Sequence, residues 1–535
     1  MKRKQYMRYD KIIKRLLLAV VLLMTTACQK YLTVDPIDRL TGNNFYQSKE
    51  DVEANMAFMY AKFFEKIRES WVMGATGEAR SGEIRATVNA GDSRTRPLDP
   101  EERTVVEVLG ANALPLAINS TMFSDYKLEE ITKWQGYYQV IQSANILISK
   151  LEEGIPGVDG ADQARYTAEA KFIRAFTYFW MVRLYGDVVY YTDPYFSNSL
   201  PREPMVSVLD KCIADLAPHK DQMPWTFGDP AERGARPGRG AIIALLMHMH
   251  AWNASFDRAN SQAHYTEVAT LGKELIDSKA HRLYSLTEQN WAEVSKGRTE
   301  ESLFEFYRSI NYGDDTWISE PSWDTFNVRN HYQFWSHFLR WPYLFPRHNK
   351  SISAAYFVSE YMNSIYPEGE PDLRRDMWFD DIASDNGQFA LKKFGYNVFT
   401  SGNEEGYPAN SIIIFRYSDA ILLQAEALAE LNRDGEAIAS VNLVRQRAEA
   451  SPYSGGGGND LKDFIYMERC RELIGEAHRY FDLIRTRRIL NTAWTMAPMN
   501  LDQYNRGAWT WPLHQDARRY NPHIVLNEYW TTTGR

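Results

Sequence analysis

Cysteine is scarce in this chain of 535 residues, which contains only three. Cys28 lies near the N-terminus, whereas Cys212 and Cys470 lie in stretches with an amphipathic helical pattern. Three cysteines are too few for a disulfide scaffold, so we expect Cys212 and Cys470 to be two buried thiols. A disulfide between them remains the alternative, if the fold brings them together.

Long apolar runs are also missing. The run from Leu16 to Met24 is shorter than the roughly 18 residues of a membrane-spanning helix, and no later segment reaches that length. This run follows seven basic residues and leads into Thr25-Thr26-Ala27-Cys28, a pattern typical of a secretory signal. The chain is therefore expected to be exported without spanning the membrane.

Small residues directly before Cys28 favour a bacterial lipoprotein signal. We expect residues 1–27 to be the signal peptide, Cys28 to be the lipid attachment site, and residues 28–40 to be a short tether. The alternative is an ordinary secretory signal that is cut near Ala27, with an incidental cysteine after it.

Positive charge is in short supply beyond the signal. The chain has 61 basic and 69 acidic residues, and removal of residues 1–27 leaves 54 basic and 68 acidic residues, a net charge of −14. Such a balance argues against a nucleic-acid partner and against electrostatic docking on anionic lipid. Any membrane attachment must come from the lipid.

Helical periodicity is the dominant pattern in the rest of the chain. Apolar residues recur at spacings of three and four along paired segments, and these pairs predict helical hairpins. The predicted pairs are residues 134–151 with 163–185, 241–252 with 265–278, and 417–431 with 436–450. Hairpins of this size with small residues at the crossing resemble tetratricopeptide repeats. We predict an all-α, superhelical scaffold of stacked hairpins.

Long segments without clear helical period lie between the hairpins. They comprise residues 71–130, 186–236, 285–410 and 488–535. Because connectors do not need such lengths, we expect these irregular regions, above all 71–130 and 285–410, to carry the functional surface.

Several ordered motifs resemble the SusD/RagB family of outer-membrane lipoproteins from Bacteroidetes. The motifs are Phe45-Tyr46-Gln47-Ser48, Trp134 with Tyr137-Tyr138 and Ala144-Asn145, and residues 168–187, 412–428, 442–448 and 468–485. Two positions depart from the family pattern: Val189 replaces a proline, and Trp511-Pro512-Leu513-His514 replaces the usual terminal motif. The resemblance covers residues 41–535 as one SusD-like domain.

The resemblance implies binding and no enzymatic activity. Such proteins capture a glycan and act as the lid of a SusC-like TonB-dependent transporter in the outer membrane, and the resemblance also implies exposure to the cell exterior. The alternative is a helical-repeat lipoprotein that binds peptide or protein ligands for uptake or as a scaffold.

One aromatic stretch has the composition of a sugar site. Residues 306–345 contain thirteen aromatics, and 13% of the whole chain is aromatic. Sugar faces stack on aromatic rings, while Asp, Asn and Arg side chains bind hydroxyls. We predict ligand contacts by Trp317, Trp323, Trp335, Asp324, Asn327 and Arg329, although a buried core beneath a loop is the alternative for the set.

A second candidate surface is the early loop that begins at Trp71. In proteins resembling this one, that region borders the ligand face, so Trp71, Glu78 and Arg80 are predicted to complete the site. Ordinary exposed-loop charge is the alternative.

Other ionisable residues occur on helices whose remaining faces are apolar. Ion pairs with adjacent helices explain them better than catalysis does. These residues are Glu169, Arg174, Glu426, Arg445, Glu468, Arg469 and Arg485.

Metal and cofactor signatures are not visible in the sequence. His248 and His250 lie two residues apart on a predicted helix and point in different directions, and no Cys/His set has ligand spacing. No Asp-rich loop with a calcium signature is visible either. We therefore expect no catalytic residue, no metal site and no cofactor.

Overall fold

The structure is a computed structural model. It describes residues 45–70, 72–88, 100–125, 127–308, 334–343, 352–385, 387–399 and 406–532. Helices dominate these residues, and the strands among them form three antiparallel two-stranded sheets. The predicted all-α class is confirmed. Cys28, the signal peptide and the tether lie outside the described residues.

The first part of the described chain, up to residue 277, is mainly helical. Its α-helices are α1 (Lys49–Arg68), α2 (Pro100–Gly110), α3 (Leu114–Ile118), α4 (Met122–Asp125), α5 (Leu128–Thr132), α6 (Gln135–Glu153), α7 (Gly160–Tyr185), α8 (Met205–Leu216), α9 (Arg239–Phe256) and α10 (Ser261–Asp277). Helices α2 and α8 lie in segments that we expected to be irregular, although α8 agrees with the amphipathic pattern around Cys212.

The second part alternates short helices and strands before the last hairpin. Its α-helices are α11 (Glu293–Lys296), α12 (Ser359–Ile365), α13 (Leu373–Trp378), α14 (Tyr417–Glu430), α15 (Asp434–Arg447), α16 (Asn459–Glu472), α17 (Arg479–Arg485), α18 (Leu501–Asn505), α19 (Gln515–Tyr520) and α20 (Glu528–Thr532). The strands are β1 (Ile84–Ala86), β2 (Ser302–Phe306), β3 (Ala355–Phe357), β4 (Asn397–Phe399), β5 (Gly406–Pro408) and β6 (Ile412–Arg416).

Helices α6 and α7 form the first predicted hairpin, and α1 packs against it. The Asp159 side chain accepts a hydrogen bond from the Asp162 amide at 2.8 Å and so caps the start of α7. The helix ends at Gly186, whose φ of +73° lies in the left-handed region that favours glycine. Between these two residues, α7 is buried along most of its length.

The other two predicted hairpins are also present. Helix α9 packs on α10, α10 on α14, and α14 on α15. The α10–α14 crossing is close because a Cβ at Gly272 would meet Gln424 Cβ at 2.6 Å. Stacked hairpins therefore make up the scaffold, as expected.

Strand β2 connects the sheets to the first hairpin. Phe306 of β2 stacks on Phe63 of α1 with ring centroids 5.3 Å apart, and Phe304 contacts Phe176 of α7, also at 5.3 Å. Strand β2 also pairs with β6 through backbone hydrogen bonds, with Phe306 opposite Ile412. In the remaining sheets β1 pairs with β3 and β4 with β5.

The ionisable residues of the helices have the expected partners. Arg174 pairs with Asp215 at 2.5 Å, Glu426 with Arg485 at 2.7 Å, Arg445 with Glu468 at 2.7 Å, and Arg469 with Asp482 at 2.9 Å. Glu169 differs, because its partner Arg236, at 2.6 Å, precedes α9 instead of lying on a neighbouring helix. Inter-helix ion pairing is confirmed for the other members of the predicted set.

The remaining cysteines are Cys212 and Cys470, and both are buried and unpaired. The prediction of two buried thiols is confirmed. Within the described ranges, no helix combines the length and the apolar character that a bilayer crossing requires.

Candidate functional site

Described residues that flank three gaps in the chain contact one another in one region, which we call the loop face. The Thr87 amide donates to the Ala354 carbonyl at 2.9 Å, and the Ala354 amide donates to the His337 carbonyl at 2.8 Å. Asn397 Nδ2 donates to the Tyr343 carbonyl at 2.8 Å. The flanks of residues 89–99, 344–351 and 400–405 are thereby held together.

The two flanks of residues 309–333 reach the same face. Phe306 pairs with Ile412, and Ile412 lines a small cavity together with Phe334 and Trp335. Phe306, Phe334 and Trp335 of the aromatic stretch therefore lie beside β6, on the body of the protein.

Most of the predicted ligand residues lie outside the described ranges. They are Trp71, Trp317, Trp323, Asp324, Asn327 and Arg329. Their contacts with a ligand remain predictions. Trp335, Glu78 and Arg80 are described.

Trp335 is buried, with 7% of its surface exposed. Its ring stacks on Phe394 with centroids 5.7 Å apart, and Phe338 beside it belongs to the core. Trp341 is more open, at 38% exposed. Among the described aromatics of this stretch, Trp341 is therefore better placed than Trp335 to meet a solute from solvent.

Arg80 holds the C-terminal part of the chain. Its guanidinium donates to the carbonyls of Ala508, Trp509 and Thr510 at 2.9 to 3.2 Å, and Nε donates to Asn112 Oδ1 at 3.0 Å. Four of its five N–H groups thus donate hydrogen bonds below the surface. A ligand contact by Arg80 stays a prediction, whereas its hydrogen bonds show that it connects the early segment to residues 508–510.

Glu78 is completely buried. Burial raises the pKa of its carboxyl to about 8, although the nearby charge of Arg479 opposes the shift. Neither carboxyl oxygen has a hydrogen-bond partner among the described residues. The Glu78 carboxyl therefore holds its proton to a higher pH than an ordinary glutamate does, and its ligand contact also stays a prediction.

The structure brings together three buried side chains that sequence spacing did not connect. Ligand atoms of His248, Asp419 and His478 lie within 4.8 Å of one another. His248 Nε2 and Asp419 Oδ2 are 2.7 Å apart, and Arg469 Nη1 donates to Asp419 Oδ1 at 3.0 Å. Because the arginine already balances the carboxylate, we interpret the group as a structural network and not as a metal site.

A groove between α1 and α6 is a second concave surface, with a volume of about 770 Å³. Phe58, which is 48% exposed, and Tyr138 contribute aromatic rings to it. Asn55, Gln139 and Gln142 contribute amides. The Phe45-Tyr46 motif lies at this groove, yet sequence analysis did not predict a site here.

Comparisons with known proteins agree with this architecture. The model of the SusD family matches residues 380–530, and a second model, described as starch-binding associating with outer membrane, matches residues 86–249. A solved SusD homologue from Bacteroides thetaiotaomicron is 33% identical, with a TM-score of 0.77, and the match covers 91% of this chain and 99% of that one. The chain belongs to the SusD/RagB family.

More distant relatives of this SusD/RagB protein extend the likeness. A SusD-like protein of Formosa agariphila is 24% identical over 487 residues, which are 86% of this chain and 87% of that protein. A solved laminarin-binding SusD-like protein, 19% identical and covering 90% of this chain and 99% of that one, has a TM-score of 0.64. The latter shows the shared SusD fold alone.

Proposed function

We propose that this protein is a cell-surface lipoprotein that binds a glycan and delivers it to a SusC-like TonB-dependent transporter, for which it acts as the lid. The observation that carries the proposal is the aromatic density of residues 306–345, of which Phe306, Phe334 and Trp335 lie beside Ile412 of β6. The starch-binding description of a matching family model and the laminarin-binding relative support a carbohydrate ligand.

The proposed contacts follow from sugar chemistry. Trp317 and Trp323 stack on sugar faces, while Asp324, Asn327 and Arg329 bind hydroxyl groups. Trp341 adds a described aromatic ring at the same face. Trp71, Glu78, Arg80 and Trp335 complete the proposed set; for the last three, burial favours support of the site from beneath.

A glycan array followed by calorimetry tests the binding proposal on the full-length lipoprotein in detergent. We expect a saturable oligosaccharide ligand without product release, and a loss of about tenfold for Trp317→Ala and for Trp323→Ala, as one lost stacking contact would give. Tyr520→Ala removes a ring that is 73% exposed elsewhere and serves as the control.

Two outcomes would contradict the proposal. If no glycan bound while peptides did, the alternative of a peptide- or protein-binding lipoprotein would replace it. If Phe58→Ala abolished glycan binding and the tryptophan variants did not, the site would lie in the α1–α6 groove instead of at the loop face.

The anchor and the partner require separate tests. We propose that Cys28 is acylated and holds the chain on the outer membrane, facing the exterior. Radiolabelled palmitate should enter the wild-type protein and not the Cys28→Ser variant. A large barrel protein should co-purify with the wild type from outer membranes, and its absence would reject the transporter partnership.

A further inference from the structure

A cleft with surplus positive charge lies among the hairpin helices. Its volume is about 370 Å³, and residues at the ends of α9, α14, α16 and α17 line it. We call it the basic cleft. Its cationic residues are Arg258, Lys462, Arg485, Arg487 and Arg488.

Three of these cations are already neutralised. Arg485 binds the Glu426 carboxylate at 2.7 Å, Lys462 binds Glu430 at 2.8 Å, and Arg488 binds Asp463 at 2.5 Å. By contrast, Arg258 and Arg487 have no carboxylate within salt-bridge distance among the residues that the structure describes. The cleft therefore has two more positive than negative charges from these groups, in a chain that is acidic overall.

The two arginines without a carboxylate partner, Arg258 and Arg487, line the same cleft. The guanidinium of Arg487 lies 5.5 Å from the centre of the Tyr504 ring.

A buried hydroxyl group also lines the cleft. Tyr466 is 2% exposed, and its hydroxyl has no hydrogen-bond partner among the described residues. Buried hydroxyl groups are almost always hydrogen-bonded, so this hydroxyl lacks a partner that such groups ordinarily have.

The backbone at Arg487 has an uncommon conformation. Its φ of +59° lies in the left-handed region, which residues with a Cβ adopt at a cost in free energy. Glycine would occupy this position without strain, so a glycine substitution here removes the side chain without disturbing the backbone.

We propose that the basic cleft binds an oxyanion, namely the carboxylate or sulfate group of an acidic sugar, with Arg258 and Arg487 providing the charge. Guanidinium groups match such anions because their N–H groups form a planar fork. The assignment to a sugar rests on the glycan-binding function proposed above, whereas the binding of an oxyanion does not.

Calorimetric titration of the full-length lipoprotein with inorganic sulfate, glucuronate and glucose tests the proposal. We expect sulfate and glucuronate to bind, more weakly as sodium chloride rises, and glucose to give no binding at the cleft. Arg487→Gly should weaken both anions at least tenfold while relieving backbone strain, so the variant should fold. Arg258→Gln, at an exposed position, should have a similar effect.

Lys279→Gly is the matched control. Lys279 also has a positive φ, +54°, and it follows the C-terminal end of α10. Tyr265 of the same helix lines the cleft. At the helical rise of about 1.5 Å per residue, Lys279 lies about 20 Å from Tyr265 and therefore outside the cleft. This variant loses the same charge and relieves the same kind of strain, and it should bind both anions like the wild type.

Unchanged sulfate binding in both arginine variants, or no anion binding at all, would overturn the proposal. Sulfate binding without glucuronate binding would reject the acidic sugar as the ligand. Because the sulfate titration needs no glycan, and Trp317→Ala and Trp323→Ala should leave it intact, its failure is distinguishable from failure of the glycan-binding function.

Discussion

Arg416 Nη1 lies 2.6 Å from Glu472 Oε1 in the interior of the protein, where neither side chain reaches solvent. The same guanidinium binds Glu301 at 2.6 Å and Glu476 at 2.7 Å. Strand β6, the start of α14 and the end of α16 are joined at this point. A buried network of this kind is costly to break, because each remaining charge loses its partner without gaining water.

Replacement of this guanidinium should be strongly destabilising. We expect Arg416→Met to lower the free energy of unfolding by about 3–5 kcal/mol, the range for removing one partner of a buried ion pair. Urea denaturation followed by circular dichroism measures the change. Arg433→Met is the control, because Arg433 pairs with Glu436 on an exposed surface, and a loss above about 1 kcal/mol there would contradict this reasoning.

Glu78 should make stability fall as the pH rises. Its folded pKa of about 8 exceeds the ordinary value of 4.5, so between these values the folded state holds a proton that the unfolded state has released. The stabilisation is therefore complete below pH 4.5 and is lost towards pH 8. Glu78→Gln, which cannot ionise, should be more stable than the wild type at pH 8 by a few kcal/mol, about 1.4 per pH unit, and similar at pH 4.5. Equal pH profiles in urea denaturation would refute the buried, neutral carboxyl.

His478 should make stability fall as the pH falls, which is opposite to the effect of Glu78. Burial lowers its pKa from 6.5 to about 4, so between these values the unfolded state binds a proton that the folded state does not. Stability is thereby lost as the pH falls from 6.5 to 4, by up to about 3 kcal/mol. The His478→Gln variant should show a shallower loss over this interval than the wild type, and an identical slope would exclude His478 as the cause.

Gly77 should tolerate no side chain. A Cβ there would lie 1.7 Å from the Ala477 carbonyl oxygen, which is backbone and cannot move cheaply. We expect Gly77→Ala to cost at least about 2 kcal/mol, as overpacking in a rigid interior does. Gly435→Ala meets no atom within 4 Å and should change stability by less than about 1 kcal/mol. Comparable thermal midpoints for both variants would contradict the close packing at Gly77.

The hairpins were predictable because their information is local. Residues 135–153 carry an apolar stripe at helical spacing, and the turn before Gly160 contains glycine, proline and aspartate, which are typical turn residues. The short helix Pro100–Gly110 was missed, since few turns of periodicity stand out from irregular surroundings. For the helix Met205–Leu216, only the amphipathic pattern around Cys212 was recognised.

The site was less predictable because its contacts are not local. Phe306 pairs with Ile412, and His248 meets Asp419 and His478, across distances in sequence that no spacing rule connects. The buried role of Arg80 was not predictable, because its acceptors are backbone carbonyls and every residue type has one. The two unpaired arginines of the basic cleft are recognisable only after every carboxylate has been assigned a partner.

The bonds from Arg80 to residues 508–510 also set an order of events during synthesis. The segment that contains Arg80 leaves the ribosome early, whereas its carbonyl acceptors emerge 428 to 430 residues later. This segment must therefore wait for most of the chain before it can reach its final state. Its folding is consequently completed late in synthesis or afterwards, and a chain cut short before residue 508 would present quality-control proteases with an unfinished N-terminal region.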